Sequence, residues 1–190
     1  MGLHQPRRYR RTTGSDDLVA FEVVVAETDL MVLAREALPE QARAAARAAR
    51  RQIESHGVLR PAFLTSRRPL EPDPAAPEIC LRMYRAGRMA DTGPMAAVAG
   101  AIAEEVARAL LPLSPEVIVE NGGDVFVISE RERLVAIRAG RSVLDGRFGL
   151  VLPPGEMAVC TSSGTVGHSA SGGRADAVVI AAEDGACADA

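Results

Sequence analysis

Hydrophobic and polar positions divide the chain into stretches of different period. Residues 18–25, Leu-Val-Ala-Phe-Glu-Val-Val-Val, have the β-branched and aromatic bias of a strand, and Glu27, Thr28 and Asp29 after them offer turn or capping side chains. From 39 to 56 the helix formers Ala, Arg, Gln and Glu dominate and His56-Gly57 supplies a stop, so one long amphipathic helix is expected. Residues 66–78 hold four prolines among charged neighbours, which reads as a linker or surface loop. A short strand is expected at 79–83, and a second helix, rich in Ala and Val and therefore buried, at 94–111. Beyond Pro115 the period shortens. Apolar runs at 117–119, 125–128, 134–137, 149–152, 157–160 and 177–180, separated by turn residues, predict a mostly antiparallel sheet. The expected fold class is α+β, a mostly antiparallel sheet packed with two main helices. One domain is expected over 1–190: an N-terminal strand and helix (12–65), the Pro-rich loop (66–78) and a glycine-rich ligand region (79–190). No repeat at solenoid period is visible.

Composition narrows the chemistry. All 22 basic residues are arginine, so a Schiff base, a pyridoxal-phosphate site and a P-loop phosphate lysine are excluded. Cys80, Cys160 and Cys187 stand far apart and form no C-x-x-C pair, which argues against a disulfide framework or structural zinc and for reduced thiols. With 3% aromatics, no Trp and a net charge of −3, nucleic acid is not an expected partner. No run suits a membrane span or a signal peptide, so a soluble, cytoplasmic protein is expected. The arginines at 7–11, and Arg43, Arg47, Arg50 and Arg51 on the first helix, read as solvated basic surface.

Three glycine-rich segments can carry chemistry. In Asp91-Thr92-Gly93-Pro94 an Asp or Thr before the Gly-Pro entry caps the second helix, and the same helix N-terminus would attract phosphate. Asn121-Gly122-Gly123-Asp124 is a hairpin-turn signal whose glycines would also let a ligand approach the backbone. In Thr161-Ser162-Ser163-Gly164-Thr165-Val166-Gly167-His168-Ser169, hydroxyls, glycines and a histidine suit contact with a phosphate or sugar, with His168 as donor, acid or base. There is no G-x-S-x-G elbow for a serine hydrolase.

Together, in this order, the segments resemble the ApbE superfamily, whose studied members are magnesium-dependent flavin transferases that move FMN from FAD onto a threonine or serine of a target protein. The match is closer to a short branch of that superfamily and runs over nearly the whole chain. The resemblance implies an ApbE-like fold with FAD or FMN and Mg²⁺ as cofactors. Flavin would be held by Thr92, Gly93, Asn121, Gly122, Gly123, Asp124, Thr161, Ser162, Ser163, Gly164 and His168. The family's metal motif, Ala-Asp-Ala followed shortly by Ala-Thr, is matched by Ala188-Asp189-Ala190, which makes Asp189 the metal ligand and, with His168, a catalytic residue. Asp176, in the earlier Ala175-Asp176-Ala177, is the wrong copy by position. The family's threonine would lie past Ala190, so a C-terminally truncated chain is expected. Where the transferases carry a lysine close after the helix entry, this chain has Ala97.

Three functions follow as expectations. The first is a flavin- or other nucleotide-binding protein, with Mg²⁺-dependent FMN transfer to an acceptor protein as its reaction. The second is a non-catalytic accessory protein for a flavin, nucleotide or pterin. The third is a scaffold that binds a partner through its Arg-rich helix. Small residues on the second helix are compatible with a homo-oligomer.

Overall fold

A computed structural model describes residues 17–137, 139, 142–162 and 175–190. Six strands form one antiparallel sheet in the order β1-β2-β3-β4-β7-β8, and β5 and β6 pair separately as a two-stranded arm. The class is α+β, as expected.

β1 (Val19–Val25) turns through Ala26-Glu27 into β2 (Thr28–Ala34), with Val25 facing Thr28 and Ala26 at φ 51°. β2 was not foreseen, because all of its residues except Met31 are buried and the sequence therefore shows no polar alternation. α1 (Pro39–Leu59) runs past the expected stop. Gly57 sits inside it for close packing: an added Cβ would lie 2.5 Å from Leu64 Cγ. The helix ends before Pro61, which opens α2 (Pro61–Thr65).

Residues 66–77 have no regular structure, as the prolines dictate. The strand expected at 79–83 is instead the start of α3 (Glu78–Ala90). Ile79, Cys80, Met83, Tyr84, Ala86 and Gly87 fall on one buried helical face, with the exposed Arg85 and Arg88 turned away from it and Arg82 at its edge paired with Glu104, and the period becomes clear only over the whole segment. The second main helix is a 3₁₀ turn (Pro94–Ala97) leading into α4 (Val98–Leu110), whose Ala101, Ala103, Val106, Ala107 and Leu110 are fully buried. α4 covers β3 (Val117–Asn121) and β4 (Asp124–Ser129), and α1 covers β1. The arm, β5 (Arg133–Ala136) and β6 (Gly149–Leu152), leaves after β4 and packs Val135, Leu150 and Leu152 on Val127 and Val159 of the opposite sheet face. β7 (Gly155–Ser162) returns beside β4, β8 (Val178–Ala182) follows it, and α5 (Gly185–Asp189) folds back onto α4.

The base of the arm is held by charge. Glu116, fully buried ahead of β3, takes Arg133 Nη2 on one oxygen and Arg35 Nη2 on the other at 2.8 Å. Arg133 also grips both oxygens of Asp17 at 2.8 Å each. Burial alone would raise the Glu116 carboxyl, but the Arg133 guanidinium holds it below the usual range, and Arg133 lowers Asp17 to about 2. Truncating a buried partner strands the other charge. Glu116→Ala is therefore expected to destabilise the chain by about 3 kcal/mol or more, whereas Glu40→Ala, which removes an exposed i,i+3 pair with Arg43, costs less than about 1 kcal/mol. Urea denaturation of the two variants checks the difference.

Candidate functional site

The Asn-Gly signal forms the turn it predicts. Asn121 faces Asp124 across β3 and β4, and Gly122 and Gly123 take φ values of 80° and 136°, conformations that side chains with a Cβ rarely adopt. Asp124 lies beside Cys160 of β7, and Thr161 donates its backbone N–H to the Gly123 carbonyl at 3.2 Å. The turn and the end of β7 carrying Thr161 and Ser162 thus share one corner of the sheet.

α4 begins above the same corner. Asn121 Nδ2 donates to the Ala99 carbonyl at 3.0 Å, tying the turn to the helix entrance. The Gly100 N–H donates to Asp189 Oδ2 at 2.9 Å, and the Ala99 N–H also stabilises that carboxylate. Asp189 can reach these groups because α5 crosses α4 with almost no side chain between them. A Cβ on Gly100 would lie 2.1 Å from the Gly185 carbonyl oxygen, and one on Gly185 would lie 2.5 Å from that of Gly100. Two carboxylates fix the crossing. Glu104, 2% exposed, accepts the Gly185 N–H at 2.8 Å, and Asp184 caps α5 by accepting the Cys187 N–H at 2.8 Å.

The electrostatics of the corner are acidic. Removal from water and the facing Asp124 carboxylate push the Asp189 carboxyl up to about 8, against the two helix N–H groups. Burial also pushes the Cys160 thiol far up, with Asp124 and Asp189 adding to the effect, so it is an uncharged thiol and not a nucleophile. Burial raises Cys80 to about 11, and all three cysteines are free.

The structure unites Asn121, Gly122, Gly123, Asp124, Thr161, Ser162 and Asp189. It does not bring Thr92 and Gly93 there by any described contact. Neither Asp91 nor Thr92 caps the second helix: Asp91 ends α3 in the left-handed region at φ 57°, and no side-chain cap bond forms at Gly93. Gly93 is required by packing, since a Cβ would lie 1.8 Å from the Ser66 carbonyl oxygen. Thr92 Oγ1 is buried without a hydrogen-bond partner. Ser163, Gly164 and His168 lie outside the described residues, as do the arginines at 7–11. Arg43 and Arg50 of α1 are engaged in ion pairs with Glu40, Glu27 and Glu54. Among the described residues no group of three or more His, Cys, Asp or Glu side chains is arranged for a metal, and no helix is long and apolar enough to cross a membrane. Two surface hollows, of about 460 and 350 Å³, are lined by other residues.

Sequence reasoning missed Gly100, Glu104 and Gly185. An isolated glycine within an Ala-rich helix was the available signal, because it costs about 1 kcal/mol against Ala unless packing requires it.

A family model described as "AbpE bacteria" matches residues 10–190. A UPF0280 protein of Methanopyrus kandleri is 42% identical over 176 residues, 91% of this chain and 71% of that protein. UPF0280 proteins of Methanocaldococcus jannaschii (42% over 145 residues) and Methanothermobacter thermautotrophicus (45% over 132 residues) match 74% and 68% of this chain. The chain spans 59% and 51% of the lengths of those two relatives.

Two outcomes test the corner. Gly100→Ala is expected to push α5 away and cost about 1–3 kcal/mol in urea denaturation, with faster amide exchange through 185–189. The second concerns pH. The folded Asp189 value lies above the ordinary 3.8, so the folded chain holds an extra proton between the two values. Stability fully present below about pH 4 is lost as pH rises toward about 8. Asp189→Asn should flatten that decline, and parallel pH profiles of thermal midpoint for variant and wild type would contradict it.

Proposed function

The chain belongs to the AbpE bacteria family and, with its relatives, to the UPF0280 proteins, and from that premise we propose that it binds a nucleotide diphosphate together with Mg²⁺ at the Asp124–Asp189 corner, the nucleotide being a flavin such as FAD. The observation that carries this reading is the pair of facing carboxylates. Asp189, drawn from water beside the Asp124 carboxylate and with its affinity for a proton raised to about 8, favours a bound cation that replaces the proton. The donor set suits Mg²⁺, which is held by one or two carboxylates and completes its oxygen shell with substrate phosphates and water.

Bound there, Mg²⁺ would polarise the diphosphate and stabilise charge developing on it. The chain's own part is positioning. Asn121 holds the turn to α4 through the Ala99 carbonyl, the Gly100 N–H fixes the Asp189 carboxylate, and Gly122 and Gly123 leave the backbone open to close approach. Thr161 and Ser162 place hydroxyls at the adjacent strand end. The ApbE-like fold and FMN transfer to a protein threonine or serine belong to the same proposal, with Asp189 as metal ligand.

One feature favours a second reading, binding without turnover. Ala97 stands fully buried where the resemblance places a lysine in the transferases, and the sequence contains no lysine to supply that amine. Such a protein would act as an accessory carrier of the nucleotide.

Flavin-fluorescence titration with FAD separates these readings. Saturable binding strengthened by Mg²⁺ is expected, with Asp124→Ala and Asp189→Asn each losing about tenfold or more of the Mg²⁺-dependent affinity. Binding indifferent to Mg²⁺ would remove the metal from the account, and no binding would remove flavin. Covalent FMN on a threonine-containing acceptor peptide, followed by mass spectrometry, distinguishes transfer from carriage.

A further inference from the structure

α4 and α5 meet as near equivalents. Gly100-Ala101-Ile102-Ala103-Glu104 of α4 has a counterpart in Gly185-Ala186-Cys187-Ala188-Asp189, the whole of α5, with glycine, alanines and acid at the same spacing. Residues four apart share a helix face, so each helix presents both its glycine and its carboxylate to the other. The contacts are reciprocal. The Gly100 N–H donates to Asp189 Oδ2 at 2.9 Å, and the Gly185 N–H donates to Glu104 Oε2 at 2.8 Å. A Cβ on Gly100 would lie 2.8 Å from Asp189 Cβ, and one on Gly185 would lie 3.2 Å from Glu104 Cβ. All four alanines are buried. The crossing therefore has a local two-fold character, the acid of each helix holding the glycine of the other.

The two acids differ in their remaining partners. Glu104 Oε1 meets Arg82 Nη1 of α3 at 2.7 Å and Arg108 Nε at 2.8 Å. Arg82 leaves its Nε buried without an acceptor, an unpaired donor that its pairing with Glu104 and Glu105 must outweigh. Arg108 is held in turn by Glu156 Oε2 of β7 at 2.7 Å, with its guanidinium carbon 5.5 Å from the centre of the Phe126 ring of β4. Glu104 is thus braced from α3, β4 and β7 on the side away from α5. Asp189 has no arginine partner among the described residues and faces Asp124 instead.

A five-residue helix does not hold itself in place. α5 is fixed at its first residue by Glu104, and its last residue, Asp189, stands one turn further on. We infer that Glu104 is a positioning residue for the corner: clamped by Arg82 and Arg108, it fixes Gly185 and thereby aims the Asp189 carboxylate at the cation, an inference that rests on the Mg²⁺-dependent nucleotide binding proposed above. Two acids alike in sequence and geometry are divided by their neighbours into an anchor and a ligand.

Flavin-fluorescence titration with FAD, with and without Mg²⁺, tests this on the wild-type chain and on Glu104→Asp. The substitution keeps a charge for the arginines but draws the carboxylate back from Gly185 by one carbon–carbon bond, about 1.5 Å. The Mg²⁺-dependent gain in affinity is expected to fall about tenfold, while affinity without Mg²⁺ and the circular dichroism spectrum stay as in the wild type. Glu116→Asp shortens the other buried, arginine-paired carboxylate, at the opposite end of β3 from Asn121, and should leave the gain intact. A wild-type gain that Glu104→Asp does not reduce overturns the inference and leaves the proposed function standing. An equal loss in both variants also overturns it, since the effect is then one of stability. A wild-type chain that binds no FAD, or binds it without regard to Mg²⁺, overturns the inference and the proposed function together. Should Glu104→Asp fail to fold, amide exchange of the wild-type chain decides. Gly185 opens its helix and has no intrahelical acceptor for its N–H, so slow exchange at Gly185, slowed further by Mg²⁺ with FAD, is expected. Exchange there as fast as in an unstructured peptide, or unchanged by Mg²⁺ with FAD, overturns the role of Glu104.

Discussion

The candidate site depends on two helices touching backbone to backbone. Where α5 crosses α4, Gly100 and Gly185 approach too closely for any Cβ, and the Glu104 carboxylate locks the crossing by accepting the Gly185 N–H. The cost of a glycine in a helix is offset by what the approach permits, a carboxylate on a five-residue helix delivered to the entrance of α4. Asn121 delivers the β3–β4 turn to the same entrance from below. The corner is therefore assembled by main-chain contacts, and its acidic side chains converge because the backbones do.

That construction explains how the acids are tolerated. Helix N-termini favour negative charge, and Asp189 takes the N–H groups of Ala99 and Gly100. The stabilisation does not compensate for the nearby Asp124 and the loss of water, so the carboxyl retains its proton into the neutral range. The cation proposed for this corner would take the place of that proton. The helix entrance, read from sequence as an attractor of phosphate, is thereby occupied from within by the chain's own carboxylate.

Much of the sheet was legible because alternation and turn residues speak locally. Asn121 to Asp124 announced their hairpin, and the strands from Val117 onward fell close to their expected positions. β2 was hidden by burial on both faces, and the opening residues of α3 mimicked a strand because Ile79 and Cys80 are adjacent apolar residues whose helical partners come only a turn later. The joining of Asp189 to Asn121 and Asp124 was beyond any local pattern. It comes from α5 folding back across 89 residues of sequence to Gly100, a tertiary contact that no spacing encodes. Thr92 and Gly93 show the converse: their motif was conspicuous, yet Gly93 answers to the Ser66 backbone.

The arm has a place in the chain's order that bears on how this fold can diverge. It departs after β4 and returns at β7, and those two strands pair directly from Asp124 with Cys160 to Ser129 with Gly155. The register of the main sheet is thus set on either side of the excursion and owes nothing to its length. Descendants of this fold can lengthen, trim or rewrite the tip of the arm between Ala136 and Gly149 while Arg133 keeps its hold on the buried Glu116 and the corner of Asp124 and Asp189 stays in register, so that this outer segment and the corner can evolve on separate clocks.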